Sequence, residues 1–164
     1  MREIVVSMQN TLLSEAVARL LAETGEFRVE QVLPGKTGDT FSLCRAAQAD
    51  ILLMEVSRTH AYTLENRLEL IEHVRRAVPR CQFVLLCDEN SDPELAQSVK
   101  RARQDRLIDA FLYASVTPAY LTAALDALGE RSDRHEKTME AHFRWIACRA
   151  DAVPVSMLRW SRAT

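Results

Sequence analysis

Hydrophobic and polar positions along the chain form two kinds of segment that alternate. Short runs of mainly apolar residues recur five times and are typical of strands that are covered on both faces of a parallel sheet. Between them, apolar residues return every three or four positions, as on one face of a helix. The strand-like runs are residues 3–8, 27–33, 50–56, 82–87 and 109–113. The alternation predicts five strands and five helices.

The helical segments carry apolar stripes and start signals. Before residues 93–102, Ser91 and Glu94 form a capping-box pattern, and Pro93 lies in the first turn. Thr117 and Pro118 begin the last helix, 118–128, in the same manner, and a further helix is predicted over 38–49. The apolar stripes are Leu12, Leu13, Ala16, Val17, Leu20 and Leu21 in the first helix, and Leu64, Leu68, Ile71 and Val78 in the third.

Strands that alternate with helices form a parallel sheet with helices on both faces, because the crossover connections are right-handed. Ligands of such sheets bind at the carboxyl ends of the strands. Glu55 lies in the third strand run, 50-DILLMEV-56, one residue before its last apolar position. Because burying an unpaired charge is costly, we expect Glu55 at a strand end beside this crevice.

Composition limits the class of protein. The 164 residues are 48% hydrophobic and 27% charged, as in a globular domain with an extension, and the net charge of -2 does not favour nucleic acid as a partner. No run is long enough to span a membrane, and the apolar run at the N-terminus is too short for a signal peptide. The four cysteines show neither a CxxC pair nor zinc spacing. We therefore expect a cytoplasmic protein.

Three blocks of sequence resemble the receiver domains of two-component response regulators, in particular the NarL/LuxR branch. They are DILLMEV (50–56), LIEHVRRAVPRCQFVLLC (70–87) and FLYASVTPAYLTAAL (111–125), and the resemblance covers about residues 2–129. It implies a flavodoxin-like, doubly wound sheet of five parallel strands in the order 2-1-3-4-5 with five helices. We accordingly divide the chain into a receiver-like domain, 1–129, and a C-terminal extension, 130–164.

The polar positions of that family are replaced in this chain. Without carboxylates after the first strand we do not expect Mg²⁺ to bind, and phosphoryl transfer needs charge neutralisation that is missing. The resemblance thus implies a pseudo-receiver, with neither enzymatic activity nor a cofactor. The matching positions are Glu55 for the phosphorylated Asp, Ser7 and Met8 for the two acidic residues, Cys87 and Phe111 for the switch pair, and Ala114 for the lysine.

Two interpretations of Glu55 remain open. It either mimics a phosphoryl group, with Arg58 as its cationic partner, or it is a half-solvated residue at a site no longer used. For Cys87 we favour packing in the core over redox chemistry, because reactive thiols need a cationic neighbour and Asp88 and Glu89 follow it.

The extension of about 35 residues is too short for a helix-turn-helix domain with its own core. A helix there would carry Phe143 and Ile146 on one face, and Trp145 adds apolar area. Together with Tyr120 of the last domain helix, these residues are our candidate interface. Docking on the domain, packing in a homodimer and a disordered linker are the three alternatives.

The sequence therefore favours a phosphorylation-independent regulatory module that contacts a protein partner or a second copy of itself, with neither nucleic acid nor membrane as a direct partner. The first alternative is the receiver half of a DNA-binding LuxR-type regulator whose effector domain is absent here. The second is a small-ligand binder or enzyme that uses the crevice, although neither a nucleophile–base pair nor a Gly-rich phosphate loop is found there.

Overall fold

The computed structural model of the protein describes residues 1–32 and 37–128. Within these residues, five strands alternate with five α-helices, as the sequence pattern predicts. The strands are β1 (Arg2–Ser7), β2 (Phe27–Gln31), β3 (Ile51–Glu55), β4 (Gln82–Cys87) and β5 (Ala110–Tyr113). The helices are α1 (Thr11–Glu23), α2 (Thr37–Ala47), α3 (Leu64–Ala77), α4 (Pro93–Gln104) and α5 (118–128), and a short 3₁₀ helix, His60–Tyr62, precedes α3.

The five strands form one parallel sheet in the order β2-β1-β3-β4-β5. This confirms the predicted doubly wound, flavodoxin-like fold. The register pairs Val5 with Leu52 and Leu52 with Phe83, so β1, β3 and β4 are central. Because all strands run in one direction, their carboxyl ends meet at one edge of the sheet.

Both faces of the sheet are buried. In β3, Leu52 and Met54 pack on the face covered by α2, α3 and α4, whereas Ile51 and Leu53 pack on the face covered by α1 and α5. All four side chains are inaccessible to solvent. This explains why the strand is apolar at successive positions rather than at alternate ones.

Helix α1 buries less of its apolar stripe than its sequence predicts. Val17 and Leu21 are buried, but Leu13 and Leu20 are half-buried, and Leu12 is 78% exposed. The stripe is wider than the surface that the sheet can cover. Part of the apolar surface of α1 therefore faces solvent.

Helix α3 buries a charged residue that the apolar pattern does not predict. Ile71 and Val74 face the core together with Arg67, which is 1% exposed, whereas Leu64 and Leu68 are only half-buried. An arginine at this depth must find hydrogen-bond acceptors, because burying an uncompensated charge is costly.

The start of α4 differs in detail from the predicted capping box. Asp92 is the N-cap, and its carboxylate accepts a hydrogen bond from the Leu95 N–H at 3.0 Å, whereas Ser91 donates to Asp88. The N–H of Tyr120 donates to Thr117 Oγ1 at 3.2 Å, which confirms Thr117 as the cap of α5.

On α5, Leu121, Leu125 and Leu128 pack into the core, and Tyr120 is 58% exposed. Among the helices of the described ranges, none is long and apolar enough to cross a membrane. The proposed extension, 130–164, with the candidate interface residues Phe143, Trp145 and Ile146, lies outside the described residues.

Candidate functional site

A crevice of about 530 Å³ opens at the carboxyl ends of the strands, where the fold predicts a site. It brings together three of the positions matched to the family's polar residues, Glu55, Cys87 and Ala114, and Arg58 also lines it. Ser7 and Met8 are buried at the end of β1 and do not line it. We call this cavity the strand-end crevice.

Glu55 ends β3 and is half-buried at the crevice. Its carboxylate Oε2 accepts hydrogen bonds from the backbone N–H groups of Gln9, at 2.8 Å, and Asn10, at 3.1 Å. Asn10 is the N-cap of α1. Carboxylates are stabilised by free N–H groups and by the dipole at a helix N-terminus. Glu55 thus joins the end of β3 to the beginning of α1.

Arg58 is not the partner of Glu55. Its guanidinium donates to both carboxylate oxygens of Asp92, with Nη2 3.0 Å from Oδ1, and also lies 3.6 Å from Glu94. These bonds, together with the Leu95 N–H, lower the pKa of Asp92 to about 2. Because Asp92 caps α4, the ion pair connects the loop after β3 to the start of α4 across the strand-end crevice.

Gln9 joins the loops that follow β1 and β3. Its side-chain Oε1 accepts a hydrogen bond from Ser57 Oγ at 2.9 Å, and its Nε2 donates to Thr59 Oγ1 at 3.0 Å. On the other side of the crevice, Ser115 after β5 donates to the Glu89 carboxylate after β4. The loops at the strand ends are therefore connected by hydrogen bonds within the chain.

Arg67 lies beneath these loops, against the ends of the neighbouring strands β1 and β3. Its Nε donates to the Glu55 backbone carbonyl at 3.0 Å, its Nη1 to Ser7 Oγ at 3.1 Å and its Nη2 to the Ser7 carbonyl at 3.0 Å. The guanidinium carbon also lies 4.7 Å from the centre of the Tyr62 ring, a cation–π contact. One side chain of α3 thus holds both strand ends and the 3₁₀ helix.

The charge of Arg67 is compensated mainly by dipoles. Within residues 1–32 and 37–128, no carboxylate forms an ion pair with it, although the more distant Glu55 charge favours its protonated form. Burial lowers the pKa of Arg67 to about 10, opposed by Tyr62 and Glu55, so the side chain is charged at neutral pH. The residue is therefore a resident cation of the domain.

A signal for Arg67 exists in the sequence. Residues 67, 71, 74 and 78 follow the spacing of one helix face, and three of them are Ile71, Val74 and Val78, all buried. A charged residue that falls on the same helix face as buried apolar residues indicates a buried, hydrogen-bonded group. Its neighbours in sequence, Glu65, Asn66 and Glu69, suggest a solvated surface instead.

The side chains at the end of β1 point to opposite faces of the sheet. Ser7 is 3% exposed, and its Oγ lies 3.4 Å from Thr40 Oγ1 as well as within reach of Arg67. Met8 is 1% exposed and packs in the core beneath α1 and α5. Neither side chain presents an oxygen ligand to the strand-end crevice.

Cys87 and Phe111 differ in burial. Cys87 is 2% exposed, and burial, with added effects of Glu89 and Asp88, raises the pKa of its thiol to about 11. Phe111 is only half-buried and packs at 5.5 Å, ring centre to ring centre, against Tyr113. The thiol is protonated at neutral pH, which does not favour redox chemistry.

No group of three or more His, Cys, Asp or Glu side chains that could hold a metal ion occurs in the part of the chain that the structure describes. The acidic residues at the strand-end crevice are instead engaged with backbone amides, hydroxyl groups or Arg58.

Comparison with solved structures defines the class of this fold. The chain is similar to a DNA-binding response regulator of the LuxR family from Staphylococcus aureus, with a TM-score of 0.62 and 12% identity over 79% of this chain and 99% of that one. A CheY-like receiver domain protein from Methanospirillum hungatei gives a TM-score of 0.65 and 15% identity over 82% and 98% of the two chains. The protein has the CheY-like receiver fold.

A third similar structure belongs to a family of redox sensors in the streptococci that evolved from two-component response regulators. Its TM-score is 0.67 and its identity 16%, over 84% of this chain and 55% of that one. No family model matches the chain, and no curated protein matches it either. At these identities the likeness defines the fold, and the site must be interpreted from its own residues.

The first prediction concerns Arg67. We expect Arg67→Met to lower the free energy of unfolding by at least about 2 kcal/mol, because it leaves the acceptors on Ser7 and Glu55 unpaired. Arg67→Lys should also destabilise, since one ammonium group cannot reach all three acceptors. Urea unfolding measures both. The control is Arg75→Met, an exposed arginine of the same helix, which should cost far less; an Arg67→Met variant as stable as the control would contradict this account.

The second prediction separates the two carboxylate contacts of the crevice. Arg58→Ala and Asp92→Asn should be non-additive in unfolding free energy, because they remove the same ion pair. Arg58→Ala and Glu55→Gln should add, because Glu55 is held by the amides of Gln9 and Asn10. Two double-mutant cycles by urea unfolding measure this. Coupling between Glu55 and Arg58 would instead support the interpretation of Glu55 as a mimic paired with Arg58.

Proposed function

We propose that this protein is a phosphorylation-independent pseudo-receiver, a cytoplasmic regulatory module that acts through protein–protein contact and not as an enzyme. The single observation that carries the proposal is the position of Arg67. A charged guanidinium lies against the ends of β1 and β3, where the family that the sequence resembles binds its divalent cation and carries its phosphorylated aspartate.

The residues at these strand ends do not fit Mg²⁺. That ion prefers several oxygen ligands, including carboxylates, in octahedral geometry. Ser7 already accepts two hydrogen bonds from Arg67, Met8 lies in the apolar core, and the Glu55 carbonyl is bound by the same guanidinium. A buried positive charge also repels a second cation in this low-dielectric setting. We therefore propose that the domain functions without a metal.

The contacts of the Glu55 side chain also support the proposal that the domain is not switched by a metal and phosphorylation. Its carboxylate accepts hydrogen bonds from the backbone N–H groups of Gln9 and Asn10, so the backbone at the start of α1 sets its position. We propose that Glu55 fixes one conformation of the domain permanently. In this proposal it resembles the mimic, one of the two interpretations that the sequence leaves open, but with backbone amides in place of Arg58 as the partner.

The output of such a module would be contact with a second protein or a second copy. Of the α5 residues, Tyr120 is exposed and available, whereas Leu121, Leu125 and Leu128 are used by the core. We propose that Phe143, Trp145 and Ile146 of the extension add apolar area to this contact, as their sequence pattern predicts.

The second candidate function is the receiver half of a DNA-binding regulator. The likeness to the Staphylococcus aureus response regulator favours it, since that protein is described as DNA-binding. A helix-turn-helix encoded downstream in a longer gene would establish this candidate, and the pseudo-receiver would then act on that domain.

The third prediction tests the proposal directly. Incubation with acetyl phosphate, or with beryllofluoride, in the presence of Mg²⁺ should leave both mass and melting temperature unchanged, because ligands stabilise a fold only by binding its native state. Intact-mass spectrometry and thermal unfolding measure this, with a phosphorylatable receiver domain as the positive control for the reagents.

Either of two results would overturn the proposed pseudo-receiver. One is a mass gain of one phosphoryl group at Glu55, and the other is a rise in melting temperature that requires Mg²⁺. An Arg67→Met variant is the matched comparison, because it removes the resident cation and should be the variant most able to accept Mg²⁺.

A further inference from the structure

Helix α1 presents an apolar and charged surface to solvent that the fold itself does not use. Leu12 is 78% exposed, although large apolar side chains are usually covered. It lines a groove of about 600 Å³ between α1 and β2, together with Ala22 of α1 and Val29 of β2. Because β2 is an edge strand, no further element of the sheet covers this side.

The residues that α1 contributes to this groove are symmetric in sequence about Val17. A two-fold axis at the level of Val17 would place two copies of α1 antiparallel and bring each residue against its counterpart at the same distance from the axis. At 1.5 Å of rise per residue, the outermost pair lies only about 7.5 Å from that level. The pairs are Leu12 with Ala22, Glu15 with Arg19, and Ala16 with Ala18, and all six residues line the groove.

Each pair is complementary in size or charge. Leu12 of one copy would pack against Ala22 and Val29 of the other. Glu15 would face Arg19 on both sides of the axis. Ala16 is exposed and small enough to let two helices approach to the usual 8–10 Å, whereas its counterpart Ala18 is buried in its own domain.

The two charged residues have no competing partner in the described part of the chain. Glu15 and Arg19 are four residues apart in the order that favours an ion pair within one helix, yet they form none there, and neither pairs elsewhere. Both are exposed. Their charges are free for an intermolecular contact.

We propose that this surface, the α1 ridge (Leu12, Glu15, Ala16, Arg19 and Ala22), is a homodimer interface in which two copies of α1 pack antiparallel about a two-fold axis. The internal symmetry of the ridge identifies the occupant as a second copy, because a two-fold contact requires a self-complementary surface. The inference rests on the proposed function, because it adds a second contact surface to the one proposed for Tyr120 and the extension.

Sedimentation velocity of the full-length protein over a range of concentrations tests the interface. Leu12→Glu should raise the dimer Kd by at least ~tenfold, and Glu15→Arg or Arg19→Glu alone should do the same, because like charges then meet twice across the axis. The double variant Glu15→Arg/Arg19→Glu should recover an affinity close to that of the natural sequence. All these positions are exposed or half-exposed, and circular dichroism confirms that each variant is folded.

Mixing the two single charge variants gives the sharpest readout. Each alone should be monomeric, but together they should form a heterodimer, because every Arg of one chain then faces a Glu of the other. The control is Leu107→Glu, which changes an exposed leucine after α4 and should leave the Kd unaltered.

A protein that is monomeric at all concentrations, a dimer indifferent to Leu12→Glu, or a mixture that forms no heterodimer would overturn the α1 interface. Self-association lost in Phe143→Asp but unchanged in the α1 variants would also overturn it, while leaving the proposed function intact. Phosphorylation of Glu55 would instead overturn the proposed function, whatever the result for α1.

Discussion

The guanidinium of Arg67 determines how the central strands, α3 and the loop before α3 are arranged. Its three hydrogen bonds end on Ser7 and Glu55, the last residues of β1 and β3, and its face lies against Tyr62. The planar guanidinium group can donate hydrogen bonds to three fixed acceptors in only one orientation. Since the desolvated charge must keep these acceptors, any movement of α3 relative to the sheet would leave buried polar groups unpaired.

This arrangement explains the character of the strand-end crevice. A ligand shifts a conformational equilibrium only if it interacts differently with the two states. Here Glu55 is bound by two backbone amides, Asp92 by Arg58 and Glu89 by Ser115. An incoming cation or phosphoryl group that used Glu55 or Asp92 would first have to break contacts that the chain already makes.

A parallel sheet with helices on both faces could be predicted from the sequence because its determinants are local and repetitive: apolar runs, helical spacing and the handedness of crossovers. The strand order was implied only by the resemblance to receiver domains. The hydrogen-bond and ion-pair partners of the crevice residues could not be predicted from the sequence. Glu55 is held by backbone amides, which every sequence has, and Arg58 meets Asp92 only because two distant loops approach each other. Arg67 was detectable in principle from its phase with Ile71 and Val74, but its polar neighbours along the chain point to a solvated surface.

The crevice and the α1 ridge are linked through one helix. Glu55 binds the amides of Gln9 and Asn10, immediately before the first turn of α1, and Asn10 also caps that helix by accepting from the Leu13 N–H. A carboxylate at the position of the family's phosphorylated residue therefore helps to fix the start of the helix that carries Leu12. Glu55, Arg67 and Asp92 are paired within the chain at the strand ends, whereas on the outer side of α1 Leu12 is exposed, and Glu15 and Arg19 form no ion pair with the described residues. The carboxylate that binds the Gln9 and Asn10 amides therefore connects the strand-end crevice to the start of the α1 ridge.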